Sequence, residues 1–136
     1  MLAASAEVIF TRRKEMIATM QPLVEQYYAL LSEERESIGL EYRSEMEHTP
    51  LLEQLLNARQ RDFVNEHTTC GPHRDDMVLS IGDYPLRKFG SQGQQKSFLV
   101  ALKLAEYTIL AERCSERPIL LLDDLFDKLD MRRVAQ

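Results

Sequence analysis

The stretch Pro118, Ile119, Leu120, Leu121, Leu122, Asp123, Asp124 most constrains what this chain can fold into. Four aliphatic residues run without alternation and stop at two adjacent carboxylates. Such a run reads as a strand covered on both faces, the usual condition in a parallel sheet. Pro118 suits the first residue of that strand, because it has no N–H to give to the ladder. In open α/β sheets ligands lie beyond the carboxyl ends of the strands, so Asp123 and Asp124 are delivered to where a ligand would sit. Two acids there point to Mg²⁺ and a phosphate-bearing substrate. A strand end followed by an acidic helix cap is the plainer reading, and these residues alone do not separate the two.

The chain has 136 residues, one domain's worth, and a formal net charge of -5. That acidity argues against a protein that coats nucleic acid through a basic footprint, while leaving room for local basic patches. Cys70 and Cys114 lie far apart in no ligand pattern, which predicts reduced thiols and a cytoplasmic protein. The start lacks a signal-peptide pattern, and no apolar stretch reaches membrane-spanning length. Helical periodicity is already running at Leu2, and a new helix reads as beginning at Met131. Both ends therefore read as cut from a longer polypeptide.

Leu2, Ala6, Ile9, Arg13, Met16, Met20, Leu23, Tyr27 and Leu30 recur at alternating steps of four and three, a heptad-like stripe on a long helix. Pro22 predicts a kink or break near Gln21. Arg12, Arg13 and Lys14 read as a solvated face, with a phosphate-binding patch as the functional alternative. Ile38, Leu40 and Tyr42 alternate as a short strand. Thr49 is the expected N-cap of a second helix, with Pro50 at its first position and Leu52, Leu55, Leu56 and Phe63 on its apolar face. Arg59 and Arg61 flank that face.

The character changes at Thr68, Thr69, Cys70, Gly71, Pro72, His73, Arg74, Asp75, Asp76. Gly71-Pro72 marks a turn. Met77, Leu79 and Ile81 alternate as a strand, Gly82-Asp83 fits a hairpin turn, and residues 84–89 read as the returning edge strand. His73, Arg74, Asp75 and Asp76 could serve a phosphate or a metal, but a salt-bridged turn explains them more simply. Gly90 to Ser97 then opens a helix reaching about Arg113. Its polar residues keep to one narrow stripe, which predicts a helix buried over most of its circumference. Its start is small, hydroxylated and flexible, suited to presenting backbone N–H groups and the helix dipole to an anion.

Two phosphate motifs compete for this start. The P-loop pattern G-x-x-x-x-G-K-[ST] matches Gly90 and Lys96-Ser97, but Gln95 stands where a glycine must let the backbone reach the phosphates. The sequence Ser91-Gln92-Gly93-Gln94, a helix, and an acid-terminated strand fit without a defect. They resemble the signature and Walker B halves of an ATP-binding-cassette ATPase. With the Thr68 to Asp76 motif upstream and Leu125-Phe126-Asp127-Lys128-Leu129-Asp130-Met131-Arg132-Arg133 downstream, the chain resembles the RecF family of bacterial DNA replication and repair proteins. The clearest resemblance covers residues 68–133.

The resemblance implies a mixed α/β fold: a partial ABC-type ATPase head with a buried parallel strand, plus a helical arm. Residues 1–67 would be the lever-arm-like part, and residues 68–136 the partial ATPase lobe with signature motif, Walker B and D-loop. It implies ATP and Mg²⁺ as cofactors, with Walker A supplied by sequence outside these residues. Asp123 would hold the metal and Asp124 would polarise the attacking water. Ser91, Gly93 and Gln94 would meet the γ-phosphate of ATP on a second subunit, and Asp130 would cross the dimer interface. The implied partners are DNA at single-strand/duplex junctions, a second copy joined through ATP, and recombination mediators of the RecR/RecO type, with no membrane. Arg12, Arg13, Arg59 and Arg61 are the arm's candidates for DNA phosphates. The stretch alone should be inactive, and the whole protein a weak DNA-dependent ATPase. Two rival classes remain: a Mg²⁺-dependent nuclease using Asp75, Asp76, Asp123, Asp124 and Asp127, and a purely structural interaction module.

Overall fold

The computed structural model describes residues 2–32 and 36–121. Helix α1 (Leu2–Ser32) is followed by β1 (Ile38–Arg43), a single 3₁₀ turn (Glu45–Glu47), α2 (Leu51–Asn65), β2 (Asp76–Ile81), β3 (Tyr84–Pro85), α3 (Leu86–Phe89) and α4 (Gln92–Arg113). The strands form one small antiparallel sheet in the order β1-β2-β3. The mixed α/β class expected from the sequence holds.

Helix α1 is one element of 31 residues with Pro22 inside it, so the expected alternative of a break does not occur. Proline removes one backbone hydrogen bond there, and the apolar residues buried beyond it, Val24 and Tyr28, keep the helix going. The period of its inner face was legible, and its phase in part. Of the expected stripe, Ala6 is buried and Arg13, Met20, Leu23 and Tyr27 are half-buried, while Leu2, Ile9, Met16 and Leu30 are exposed; Ile17, Val24 and Tyr28, each one position further on, complete the buried side. The sequence carries apolar neighbours at Ile9-Phe10, Met16-Ile17, Leu23-Val24 and Leu30-Leu31, so two stripes one residue apart were equally available.

Helix α2 shows a similar rotation. Its N-cap is Pro50 without a side-chain bond, and Thr49 instead offers its carbonyl to Gln54 Nε2 at 2.6 Å. Leu51, Gln54 and Ala58 are buried, whereas Leu52, Leu56 and Phe63 of the expected face are exposed. The hairpin is correct at its turn, where Gly82 takes a left-handed φ of 52°. Pairing is antiparallel, with Ser80 opposite Pro85 and Ile81 opposite Tyr84. The return strand, however, stops after two residues. Pro85 has no N–H for the ladder, and the chain turns into α3 as Gly90 N–H closes on Leu86 O at 2.8 Å.

Residues 118–121 are not a strand, with Ile119 87% and Leu121 88% exposed. A strand exists only through hydrogen bonds to a neighbour, and the sheet described here does not include these residues. The covered parallel strand is thus not seen in this part of the run. Helix α4 is likewise buried on one side only: Phe98, Ala101 and Ala105 are fully covered, and Leu99 and Leu110 are exposed. Among the described residues nothing covers that outer side.

The chain forms two compact units that interleave in sequence. One comprises Met1–Ile17 with Glu41–Val78, and the other Ala18–Leu40 with Leu79–Gln136. In the first, Ala6, Ile17, Leu51, Ala58 and Cys70 are buried, and the Phe10 and Tyr42 rings meet at 5.8 Å. In the second, Val24, Tyr28, Leu40, Leu86 and Phe98 form the core. There the Tyr28 and Phe98 rings lie 5.9 Å apart, and Tyr27 Oη bonds Thr108 Oγ1 at 2.7 Å. Burying side chains of this size stabilises by roughly 1.5–3 kcal/mol each.

Candidate functional site

The start of α4 is built by its own side chains. Ser91 is the N-cap, and its Oγ accepts the Gln94 N–H at 3.2 Å. Gln94 Oε1 accepts the Ser91 N–H in return at 2.7 Å, completing a capping box. Gln95 N–H then bonds Ser91 O at 2.9 Å and begins the helical ladder. The N–H groups of Gln92 and Gly93 have no partner inside a helix, as at any helix start. Ser91 is exposed, and its hydroxyl proton remains available to a neighbour.

Two glycines at this turn serve different ends. A Cβ on Gly90 would sit 2.7 Å from Leu86 O, so glycine is required there by packing against α3. A Cβ on Gly93 would meet nothing closer than Ser91 Oγ at 4.0 Å. Glycine inside a helix costs about 1 kcal/mol relative to alanine, and the chain's own packing does not require it at Gly93. The open space over its backbone is what an external group would occupy. The P-loop match fails on geometry too, since residues 92–97 are already helical and Gln95 Nε2 bonds back to Gly90 O at 2.8 Å.

Behind the turn lies a pair that sequence reasoning missed. Gln94 Nε2 donates to Glu36 Oε1 at 2.6 Å, and Tyr28 Oη donates to Glu36 Oε2 at 2.7 Å. Glu36 sits in an acidic run that reads as solvated, 58 positions from Gln94, and no local pattern announces it. Of the other expected site residues, Asp123, Asp124, Asp127 and Asp130 lie outside the described residues.

The Gly71 to Asp76 motif is a salt-bridged turn. Gly71, at φ 118°, opens it, Pro72 follows at the favoured position, and Arg74 N–H closes on Gly71 O at 2.8 Å. The Asp75 side chain is only 5% exposed and accepts from Arg13 Nη1 at 3.3 Å and from the Tyr42 hydroxyl. Arg13 also donates to Pro72 O at 2.6 Å. Burial, then the bond to Asp75, raises the Tyr42 phenol above its ordinary value. Asp76 Oδ1 accepts the Met77 N–H at 2.8 Å, and His73 lies 3.1 Å from Thr68 O. Among the described residues no group of three side chains could hold a metal ion.

The arginines divide by how far they are engaged. Arg12 pairs with Glu15 at 3.3 Å on an open surface, and Arg59 is exposed. Arg61 Nε donates to Thr69 Oγ1 at 2.9 Å, and Thr69 N–H in turn donates to Asp62 at 3.0 Å. A cavity of about 410 Å³ is lined by Arg61, Arg74, Thr69, Gly71, Glu45 and Asp75. Guanidinium groups and carboxylates share its wall, so it carries no charge preference of one sign. Burial, with help from Asp62 and Glu45, also raises the nearby Cys70 thiol. Among the described residues no helix is long and apolar enough to cross a membrane.

No family model matches the chain. Its sequence is 42% identical over 136 residues to the DNA replication and repair protein RecF of Bacteroides fragilis (strain YCH46), covering 100% of this chain and 37% of that protein. Its fold is similar to that of the recombination mediator protein RecF-ATP in the RecFOR pathway, with a TM-score of 0.83 at 30% identity over 97% of this chain. The chain belongs to the RecF family. The RecF-ATPrS structure of the same pathway matches with a TM-score of 0.78 at 28% identity. Both likenesses cover 38% of the solved chain, so these residues span little more than a third of the RecF proteins they match.

Proposed function

We propose that these residues are the signature-bearing part of an ATP-dependent DNA-binding protein of replication and recombinational repair. The observation that carries this reading is the turn at Ser91 to Gln94: capped, exposed, and open over Gly93, in a fold similar to RecF-ATP. The residues present fit a nucleotide phosphate. The Ser91 hydroxyl would donate to a phosphate oxygen, the Gln92 and Gly93 N–H groups would add two further donors, and the α4 dipole would favour the anion. Gln94 has both ends of its amide engaged within the chain, so its part is to hold Ser91 in place rather than to touch the nucleotide.

In this reading the ATP is carried by a second copy, and its closure joins the two subunits. Asp123 would hold Mg²⁺, Asp124 would orient the attacking water, and Asp130 would meet the partner. When bound, the metal would neutralise charge on the phosphates. The division into an arm over residues 1–67 and an ATPase lobe over residues 68–136 belongs to the same proposal. So do the cytoplasmic location, binding at single-strand/duplex junctions, and hand-over to mediators of the RecR/RecO type. Arg12 and Arg59 are the arm positions best exposed for backbone phosphates, while Arg13 and Arg61 already hold intrachain partners.

The test is substitution in a full-length RecF-family protein carrying these residues. Ser91→Arg fills the open turn with a bulky side chain, and we expect it to abolish ATP-dependent dimers seen by light scattering. Gly93→Ala should fold normally, since nothing in the chain obstructs its Cβ, and weaken those dimers. Undiminished association in both would sink the phosphate role. The 136-residue stretch contains no G-x-x-x-x-G-K-[ST]. Titrating ATP-Mg²⁺ into it by calorimetry should release little heat, and micromolar binding would contradict the reading.

A further inference from the structure

The capping box at Ser91 needs only one end of the Gln94 amide. The other end is held by Glu36, whose second oxygen is held by Tyr28. Tyr28 is fully buried and packs on Phe98, which belongs to α4 itself. The contacts therefore close a ring. Tyr28 grips the body of α4 through Phe98 and its first turn through Glu36 and Gln94. Glu36 is itself located from behind, because the next residue, Ser37, accepts the Gly82 N–H of the hairpin turn at 2.8 Å.

We propose that Glu36 is a positioning residue for the signature turn, fixing the orientation of the Gln94 amide and hence of Ser91 and the first N–H groups of α4. This rests on the phosphate-contact reading given above and deepens it. A capping box accepts glutamine or glutamate at its third position. Glu36 removes that choice, since a glutamate at position 94 would set two carboxylates at the 2.6 Å now spanned by a hydrogen bond. The identity of Gln94 is thus explained by a residue 58 positions away. Glu36 touches no nucleotide in this account and acts only through Gln94.

The test uses a full-length RecF-family protein with these residues, read by ATP-dependent association and by amide hydrogen exchange without nucleotide. Glu36→Ala should weaken association roughly tenfold, the scale of one hydrogen bond to a charged group, and raise the KM for ATP while kcat at saturation holds. Exchange at the Gln94 amide should quicken in the same variant. Gln94→Glu should weaken association likewise. The reciprocal swap, Glu36→Gln with Gln94→Glu, should restore it, because the amide and the carboxylate then exchange places and the hydrogen bond re-forms. Tyr28→Phe keeps the ring contact and removes only the hydroxyl, so it reports on the same brace if Glu36→Ala folds poorly. Wild-type association in Glu36→Ala, or no recovery in the swap, overturns the positioning role. Ser91→Arg, with Gly93→Ala, separates the two ideas: if both variants associate normally, the phosphate reading fails and takes this inference with it. If Ser91→Arg fails to associate while Glu36→Ala and Tyr28→Phe behave as wild type, only the brace is refuted.

Discussion

Asp75 shows how one side chain can be explained by what it touches. Its carboxylate is almost wholly covered and is met by Arg13 and the Tyr42 hydroxyl. Asp75→Asn should therefore cost about 1–3 kcal/mol in denaturant unfolding, as two donors lose a charged acceptor. Tyr42 gives a pH dependence with a definite sign. Its phenol is raised by burial first and the Asp75 bond second, so its neutral form is favoured in the folded state. That stability is fully present below the unfolded phenol value, about 10, and is lost as pH rises through the higher folded value. A phenolate absorbance titration should show Tyr42 ionising late, and loss of that late component in Tyr42→Phe checks the assignment. The two thiols should separate just as clearly. Cys70 is buried with a raised pKa and Cys114 is exposed. Iodoacetamide at about pH 8 should alkylate Cys114 first and reach Cys70 chiefly on unfolding.

Among the elements, α1 and α4 show how far periodicity reaches. Both were legible as helices, and α4 ends at Arg113 as its sequence indicates. Which face turns inward was only partly legible in α1, because Ile9-Phe10 and Met16-Ile17 offer apolar residues in adjacent phases. Contact decides: Tyr28 meets Phe98, and Tyr27 bonds Thr108. Phe98→Ala should therefore destabilise by about 3–5 kcal/mol in the same unfolding assay, the range for a buried aromatic. Pro22 is exposed within an unbroken helix and removes one backbone bond. Pro22→Ala should raise stability by roughly 1–3 kcal/mol, up to the full proline penalty of a helix interior. An unchanged midpoint would mean that the helix had already absorbed that cost.

For the whole chain, the units do not follow the order of the motifs. Each unit is assembled from one segment early in the chain and one late, so each closes over long sequence separations. The Gly71 to Asp76 turn belongs to one unit and the Ser91 to Gln94 turn to the other. Their partners, Arg13 in the first case and Glu36 in the second, are supplied by the early segments. Motif reading finds the late segments and passes over the early ones, because helical and acidic runs carry no fixed spacing to the residues they will meet.

By itself the sequence determined helices α1, α2 and α4, strands β1 and β2, the turn at Gly82 and the RecF family. Each of these depends on residues within a few positions of one another, or on motifs in a set order. Tertiary structure alone decided which members of α1's adjacent apolar pairs and which face of α2 turn inward, and the engagement of Asp75 by Arg13 and Tyr42. It also decided the bracing of Gln94 by Glu36. Those rest on contacts between residues 33 to 81 positions apart, and burial and hydrogen bonding select them only once the chain has folded. The run ending at Asp123 and Asp124 remains the reason to look for a phosphate site. The capped turn at Ser91 to Gln94 is where we propose one.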